Sequence, residues 1–137
     1  MAPTRRDVLK FGAAAAVLLP AGGARASNGF EDAIARFTGG ATAIDGGVVL
    51  DVPEIADNGG AVPVRVAADG ARRIAIFTQA NPYPGVAVFA FGPLAPPQAT
   101  IRIRLARSQK VIAIAEMEDG TFRRATRQVA VTVGGCG

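Results

Sequence analysis

Residues 100–107, Thr-Ile-Arg-Ile-Arg-Leu-Ala-Arg, alternate apolar and charged side chains. A period of two predicts a β-strand that turns its apolar side chains toward a core and its arginines outward. The apolar positions are Ile101, Ile103 and Leu105, and the arginines are Arg102, Arg104 and Arg107. A solvated outer face is the favoured interpretation of the arginines, and a grip on an anionic surface is the alternative.

Strand-like stretches continue on both sides of this segment. They are residues 47–50, 62–67, 73–78, 86–91, 110–117 and 122–133. Asp69-Gly70 predicts a hairpin between two of them, and Asp119-Gly120 predicts another before the last strand. About seven short strands with frequent turn signals are typical of an antiparallel β-sandwich of the immunoglobulin-like type. We therefore predict an all-β domain over residues 27–133.

A short amphipathic helix is predicted before the first strand, over residues 28–38. Asn28 followed by Glu31 resembles a capping box, and Gly39-Gly40 ends the pattern. The apolar positions at helical spacing are Phe30, Ile34 and Phe37. We expect this helix to pack on the domain, and contact with a partner is the alternative.

Two other stretches leave alternatives open. Pro53 suits a first helical position and predicts one helical turn in residues 51–60. The carboxylates there are Asp51, Glu54 and Asp57, for which a solvated loop is favoured over a metal site. Residues 86–91 are apolar on both faces, which indicates burial on both sides or a face covered by a partner.

Charge and composition exclude several classes of function. Four basic residues and one acid give the first 26 residues a net charge of +3, so only +1 of the chain's +4 belongs to the rest. A nearly neutral domain lacks the electrostatic footprint of nucleic-acid binding. The chain has no histidine, which excludes ordinary Ser-His and Cys-His hydrolases.

The first 26 residues have the features of a twin-arginine (Tat) export signal. Arg5 and Arg6 precede an apolar run over residues 11–19, and Ala26 precedes Ser27 at a small-x-small cleavage site. A basic cytosolic tail or a short membrane anchor is the alternative, but spanning a bilayer takes about 20 apolar residues. We predict a periplasmic protein without a membrane anchor after cleavage. Because Tat machinery exports folded proteins, a partner could leave the cytoplasm with it.

Cys136 is the only cysteine in the chain, and its neighbours are Gly134, Gly135 and Gly137. Three residues of extended chain beyond Val133 can hold the thiol roughly 10 Å from the domain. Glycine has no Cβ and adopts almost any backbone conformation, so such a segment can enter a narrow pocket. Residues 134–137 are therefore predicted to be a carrier arm. An intermolecular disulfide is the alternative role for the thiol.

The chain resembles the SoxY family, the sulfur-compound carrier subunits of the bacterial thiosulfate-oxidising (Sox) system. The resemblance covers nearly the whole chain and is most specific at its cysteine-bearing tail. The stretches that carry it are residues 53–59 (Pro-Glu-Ile-Ala-Asp-Asn-Gly), 81–82 (Asn-Pro), 100–104 (Thr-Ile-Arg-Ile-Arg) and 131–136 (Val-Thr-Val-Gly-Gly-Cys). The family's tail ends Gly-Gly-Cys-Gly-Gly, whereas here a single glycine, Gly137, follows the cysteine.

This resemblance implies a non-catalytic carrier that needs no cofactor and pairs with SoxZ, itself a β-sandwich subunit. It implies that the haem protein SoxAX joins thiosulfate to Cys136 as a cysteine S-thiosulfonate. SoxB would then release sulfate by hydrolysis, and a sulfane dehydrogenase would oxidise the sulfur that remains. The intermediates would stay covalently bound throughout.

Two other classes of function compete with the carrier. One is a structural β-sandwich that dimerises through a disulfide at Cys136. The other is a thiol-redox enzyme, which lacks here a Cys-x-x-Cys pair and a general base. An ordinary cysteine has a pKa of about 8.5, and the nearest basic residue in sequence is Arg127. We therefore expect a partner enzyme's pocket to activate the thiol.

Overall fold

Alternating apolar residues form strands close to most of the predicted positions in the computed structural model, which describes residues 29–132. The strand predicted over residues 100–107 differs, because it begins at Gln98 and ends at Ile103, and residues 104–108 form a loop. Strand β4 keeps the predicted bounds, with its valines buried and Pro63 and Arg65 exposed. The elements are α1 (Phe30–Thr38), β1 (Ile44–Asp45), β2 (Val49–Asp51), β3 (Ile55–Ala56), β4 (Val62–Ala67), β5 (Ala71–Thr78), β6 (Gly85–Ala90), β7 (Gln98–Ile103), β8 (Gln109–Met117) and β9 (Phe122–Val131). No helix within residues 29–132 is long and apolar enough to cross a membrane.

The strands form two sheets that face each other. The larger sheet has the order β1-β9-β8-β5-β6, with β3 also on β9, and the smaller has the order β2-β4-β7. The core between them is made of alternate residues of both sheets, such as Val64, Ile74, Ile76 and Val111. The predicted immunoglobulin-like β-sandwich with a short N-terminal helix is confirmed.

The outer edge of β9 departs from the antiparallel pattern. Strands β1 and β3 both pair with it in parallel, at opposite ends, with Ile44 opposite Arg123 and Ile55 opposite Ala130. At the β1 end, Arg124 Nε donates a hydrogen bond of 2.8 Å to Asp45 Oδ1. This bond lowers the pKa of Asp45 and raises that of Arg124. Two short segments therefore cover an edge that would otherwise expose unpaired backbone groups.

The predicted hairpin at Asp69-Gly70 is wrong. The turn is present, with Gly70 at φ 82° and Ala71 N–H bonded to the Ala68 oxygen at 3.1 Å. Strand β4, however, pairs with β2 and β7, whereas β5 pairs with β6 and β8. The turn therefore carries the chain from one sheet to the other, and Ala68 and Ala71 on either side of it are buried.

The predicted hairpin at Asp119-Gly120 is confirmed. Strands β8 and β9 pair in antiparallel register up to Glu116 opposite Phe122. Asp119 Oδ1 accepts bonds from the Thr121 N–H at 2.9 Å and from the Thr121 hydroxyl at 2.6 Å. These bonds lower the pKa of Asp119 and favour its charged form.

The helical turn predicted from Pro53 is also wrong, because the chain forms β3 there. The Glu54 oxygen accepts a bond from the Ala130 N–H at 2.8 Å, and the Ala56 oxygen accepts one from Thr132 N–H at 3.1 Å. The open edge of β9 thus supplies hydrogen-bond donors for the Glu54 and Ala56 oxygens, which a single helical turn would leave without partners.

Helix α1 packs on the outer face of the larger sheet, as predicted. Its Phe30, Ile34 and Phe37 contact a second buried cluster that includes Phe77 and Phe122. The helix begins after Gly29, which makes no side-chain cap hydrogen bond, and ends at Gly39 with φ 65°. Asn28, the other half of the predicted capping box, lies outside the described residues.

Phe37 anchors this helix. Its ring meets Phe77 and Phe122 edge-on, with centroids 6.0 and 5.9 Å apart, and the Arg73 guanidinium carbon lies 4.8 Å from its centroid. Because Phe37 is half-buried, we expect Phe37→Ala to lower the free energy of unfolding by about 2 kcal/mol in urea titrations. Leu94 is 99% exposed, so Leu94→Ala is the control and should stay within about 0.5 kcal/mol of the parent. Equal stabilities of the two variants would contradict the anchoring role.

Candidate functional site

The candidate site is the root of the C-terminal segment, defined as Ala130, Val131 and Thr132. The predicted attachment residue Cys136 and the arm glycines Gly134, Gly135 and Gly137 lie outside the described residues. The predicted signal residues Arg5, Arg6, Ala26 and Ser27 also lie outside them. The structure therefore describes how the domain holds the chain that leads to the cysteine.

Strand β3 holds one side of the root. Besides the two backbone bonds to Glu54 and Ala56, the Thr132 hydroxyl donates to the Ala56 oxygen at 3.3 Å. Ala56 is buried, while Thr132 is exposed. The last described residue is thus fixed to the domain through both its backbone and its side chain.

Ser108 holds the other side of the root. Strand β8 begins at Gln109, opposite Val129, so it offers no ladder partner to Val131. The Ser108 hydroxyl oxygen accepts the Val131 N–H at 2.8 Å, and the hydroxyl donates to the Val131 oxygen at 3.5 Å. The Ser108 side chain therefore takes the place of the missing backbone partner and extends the hydrogen bonding of β9 as far as Val131.

Gly59 closes the third side of the root. A Cβ at this position would lie 2.6 Å from the Leu105 oxygen and 2.9 Å from Val131 Cγ1, both closer than real Cβ contacts. The close approach lets the Gly59 oxygen accept a 2.7 Å bond from the Leu105 N–H. A residue without a side chain is required here because three segments meet at this point.

A buried amide supports the loop that carries Ser108. Gln109 is 3% exposed, and its Oε1 accepts the Ala80 and Asn81 N–H groups at 2.8 and 3.1 Å. Its Nε2 donates to Asn81 Oδ1 at 2.8 Å and to the Arg107 oxygen at 3.0 Å. Asn81 also donates to the Arg104 oxygen at 2.6 Å and accepts the Ala106 N–H at 3.0 Å. The loops over residues 79–84 and 104–108 are thus tied together beside the root.

The structure brings parts of the stretches that carry the sequence resemblance close to the root, while residues 133–136 of the last stretch lie outside the described residues. Residues 53–59 reach the root through β3 and Gly59, Asn81 supports the loop after β7, and β7 itself lies next to β4. The roles of Ser108 and Gln109 at the root were not predicted. A serine and a glutamine between an arginine-rich strand and an apolar strand have no pattern that predicts their roles.

The carboxylates Asp51, Glu54 and Asp57 do not come together as one group. Asp51 pairs instead with Arg65, whose Nη1 lies 3.3 Å from Asp51 Oδ2. Among the described residues there is no group of three or more His, Cys, Asp or Glu side chains that could hold a metal ion.

Fold and site together define an immunoglobulin-like sandwich that anchors a thiol-bearing C-terminal segment at one end. The family model described as "Sulfur oxidation protein SoxY" matches residues 34–136. The chain therefore belongs to the SoxY family.

Solved structures agree with this assignment. The sulfur carrier protein SoxY from Chlorobium limicola f thiosulfatophilum is 38% identical, with a TM-score of 0.66 over 75% of this chain and 96% of that one. A superoxide reductase from Ignicoccus hospitalis is 19% identical, with a TM-score of 0.56 over 62% of this chain and 79% of that one. The second likeness shows the fold alone. A comparison with curated proteins found no match.

The close approach at Gly59 gives a test of the root. We expect Gly59→Ala to lower the free energy of unfolding by about 1–3 kcal/mol, because the added methyl group must displace the Leu105 backbone. Gly60→Ala is the matched control, since its Cβ would meet only the Asn58 Oδ1 atom, at 3.1 Å. Urea titrations of both variants measure the difference. A Gly59→Ala variant as stable as Gly60→Ala would show that the three segments do not pack as described.

Proposed function

We propose that the protein is a non-catalytic covalent carrier of sulfur intermediates in thiosulfate oxidation, with Cys136 as the attachment point. The observation that carries the proposal is the root, where β3, Ser108 and Gly59 hold the chain until four residues before the cysteine. Membership of the SoxY family supports it, as does the likeness to a sulfur carrier protein from Chlorobium.

The hydrogen bonds from Thr132 to Ala56 limit the distance that the Cys136 thiol can reach from the domain. Four residues from Thr132 to Cys136 span roughly 13 Å when extended. The domain stays outside an enzyme's pocket while the glycine-flanked cysteine enters it. Such an arrangement requires a fixed starting point and a narrow end. The hydrogen-bonded root supplies the first, and the glycines of residues 134–137 supply the second.

The proposed cycle balances without a cofactor on this chain. Thiosulfate and the Cys136 thiol lose two electrons and one proton to form the S-thiosulfonate, and the SoxAX haem groups accept the electrons. Hydrolysis by SoxB adds water and releases sulfate, which leaves a persulfide on the cysteine. A sulfane dehydrogenase oxidises that sulfane sulfur to a sulfonate with water as the oxygen source and its own redox centre as the electron acceptor. A second hydrolysis then restores the thiol.

We further propose export by the Tat pathway to the periplasm, with cleavage between Ala26 and Ser27. Arg5-Arg6, the apolar run and the small residues before Ser27 support this proposal. Release from the membrane leaves the thiol in a compartment where soluble partner enzymes can reach it.

The partner subunit is proposed to be SoxZ, seated on β6. This strand is the last of its sheet and, within residues 29–132, has a neighbour only on the β5 side. It has no charged residue, Val88 is 57% exposed, and a groove of about 500 Å³ lies between Val86, Val88 and Phe37 of α1. An uncharged, unpaired edge beside a groove that is lined by apolar residues and Arg36 favours pairing with a strand of another subunit.

Substitution on this edge tests the SoxZ contact. Because a charge would be buried in the paired edge, we expect Val88→Lys to weaken SoxZ binding at least about tenfold in calorimetry, a change of roughly 1.4 kcal/mol. Val49→Lys is the control, since Val49 is similarly exposed, at 47%, on β2 of the other sheet. If Val88→Lys binds SoxZ with the parent's affinity, β6 is not the contact.

The carrier role is tested by intact mass spectrometry after incubation with thiosulfate and SoxAX. We expect the mass of one thiosulfonate on Cys136, and no adduct and no sulfur oxidation with Cys136→Ser. The Cys136→Ser variant should unfold like the parent, because Cys136 lies beyond the root. A disulfide dimer as the only product would favour the structural alternative, and turnover by Cys136→Ser would exclude the carrier role.

A further inference from the structure

Arginines in ion pairs and arginines without them are unevenly distributed over the domain. Among the described residues, four arginines form ion pairs. The pairs are Arg65 with Asp51, Arg72 and Arg73 with Glu116, and Arg124 with Asp45. Three of these arginines lie toward the end of the sandwich that holds the β8–β9 hairpin turn, opposite the root.

The cations near the root have no such partners. They are Arg102, Arg104, Arg107, Lys110 and Arg127, all exposed and none of them in an ion pair within the part of the chain that the structure describes. The acids close to the root are Glu54 and Asp57. Because the chain after residue 26 carries a net charge of only +1, this concentration is local and does not reflect a generally basic domain.

Two of these arginines belong to the loop that supports the root. Arg104 precedes Leu105, which bonds Gly59, and Arg107 precedes Ser108, which bonds Val131. The bonds from Asn81 and Gln109 to the Arg104 and Arg107 backbone oxygens fix the positions of both residues. Both guanidinium groups therefore extend from a loop that is held by hydrogen bonds beside the root.

An exposed aromatic ring lies beside these charges. Tyr83 is the only tyrosine of the chain and is 85% exposed. With Asn81, Pro82, Arg104 and Ala106 it lines a shallow pocket of about 340 Å³. Tyrosine and arginine are the residue types that most often dominate binding energy at protein interfaces. Tyr83 and Arg104 therefore offer an aromatic ring and a positive charge side by side on one exposed surface.

We propose that Tyr83, Arg104 and Arg107 form a docking surface for the enzymes that act on the arm, and that the complementary feature is a rim of carboxylates around the enzyme's arm-receiving pocket. This inference rests on the proposed carrier function. The surface lies on the Ser108 side of the root, so an enzyme that binds it brings its pocket opening next to the start of the arm. Opposite charges would speed the encounter and align the opening before the thiol enters.

The size of the effect follows from the electrostatics of association. Steering by a charged surface raises association rates by about ten- to a thousandfold at low salt and fades as screening increases. We expect Arg104→Gln/Arg107→Gln to lower kcat/KM for loading by SoxAX about tenfold at 20 mM salt, and to differ little from the parent at about 0.5 M. The Tyr83→Ala variant should lower kcat/KM at both salt concentrations, because its contact is not screened.

A control variant separates a local surface from total charge. Arg72→Gln/Arg123→Gln also removes two positive charges, but at the opposite end of the domain. There Arg72 pairs with Glu116, and Arg123 packs beside Gly47. It should load at the parent's rate. Equal losses in both double variants would overturn the docking surface in favour of a net-charge effect.

Reactions of the thiol with small reagents separate docking from chemistry at the cysteine. Alkylation by neutral iodoacetamide should proceed at the same rate in all variants. If the reaction with the anionic reagent 5,5′-dithiobis(2-nitrobenzoate) slows as much as loading does in Arg104→Gln/Arg107→Gln, the arginines attract small anions and the docking proposal is overturned. If the parent itself is not loaded, the carrier function fails; if the parent and the arginine variant load equally at low salt, only the docking surface fails.

Discussion

The backbone of strand β9 must find partners on both of its edges, and the rest of the domain is arranged around that requirement. Strand β8 covers one edge from Glu116 to Gln109. On the other edge, β1 and β3 pair with the two ends of the same strand. The chain between them leaves the larger sheet to form β2 in the smaller one, which joins the sheets along this side. One strand therefore connects the core to the C-terminal segment.

The same requirement explains how the root is held to the domain. A strand that continues past its neighbour normally leaves N–H and C=O groups to water. At Val131, the Ser108 hydroxyl fills that position, while Thr132 bonds Ala56. Ser108 can do so because Gln109, buried behind it, fixes the loop through Asn81 and Arg107. The polar side chains near the root thus complete the sheet. The segment that leads to Cys136 starts from Thr132, whose position these bonds hold.

Most of the fold could be predicted from the sequence because its strands have a clear period of two. Strand β4 and the β8–β9 hairpin were predicted closely, and helix α1 packs as its apolar spacing indicated. The turn at Asp69-Gly70 was placed correctly, but local turn residues do not determine whether the next strand pairs with the previous one or crosses to the other sheet. The same limit applies to Pro53, since the edge of β9 that recruits Ile55 and Ala56 lies about 75 residues further along the chain. The site was predicted only as a cysteine flanked by glycines, because the hydrogen bonds that define the root connect residues far apart in sequence.

The two proposed contact regions, the β6 edge and the docking surface beside the root, occupy different parts of the sandwich. Strand β6 lies three strands from β9 in the larger sheet, which at about 4.8 Å per strand is roughly 14 Å. The β6 edge and the root are therefore separate positions in the larger sheet. The loop over residues 79–84 connects β5 to β6 and also carries Tyr83 and the Asn81 bonds. A partner on β6 would accordingly border the docking surface at this loop.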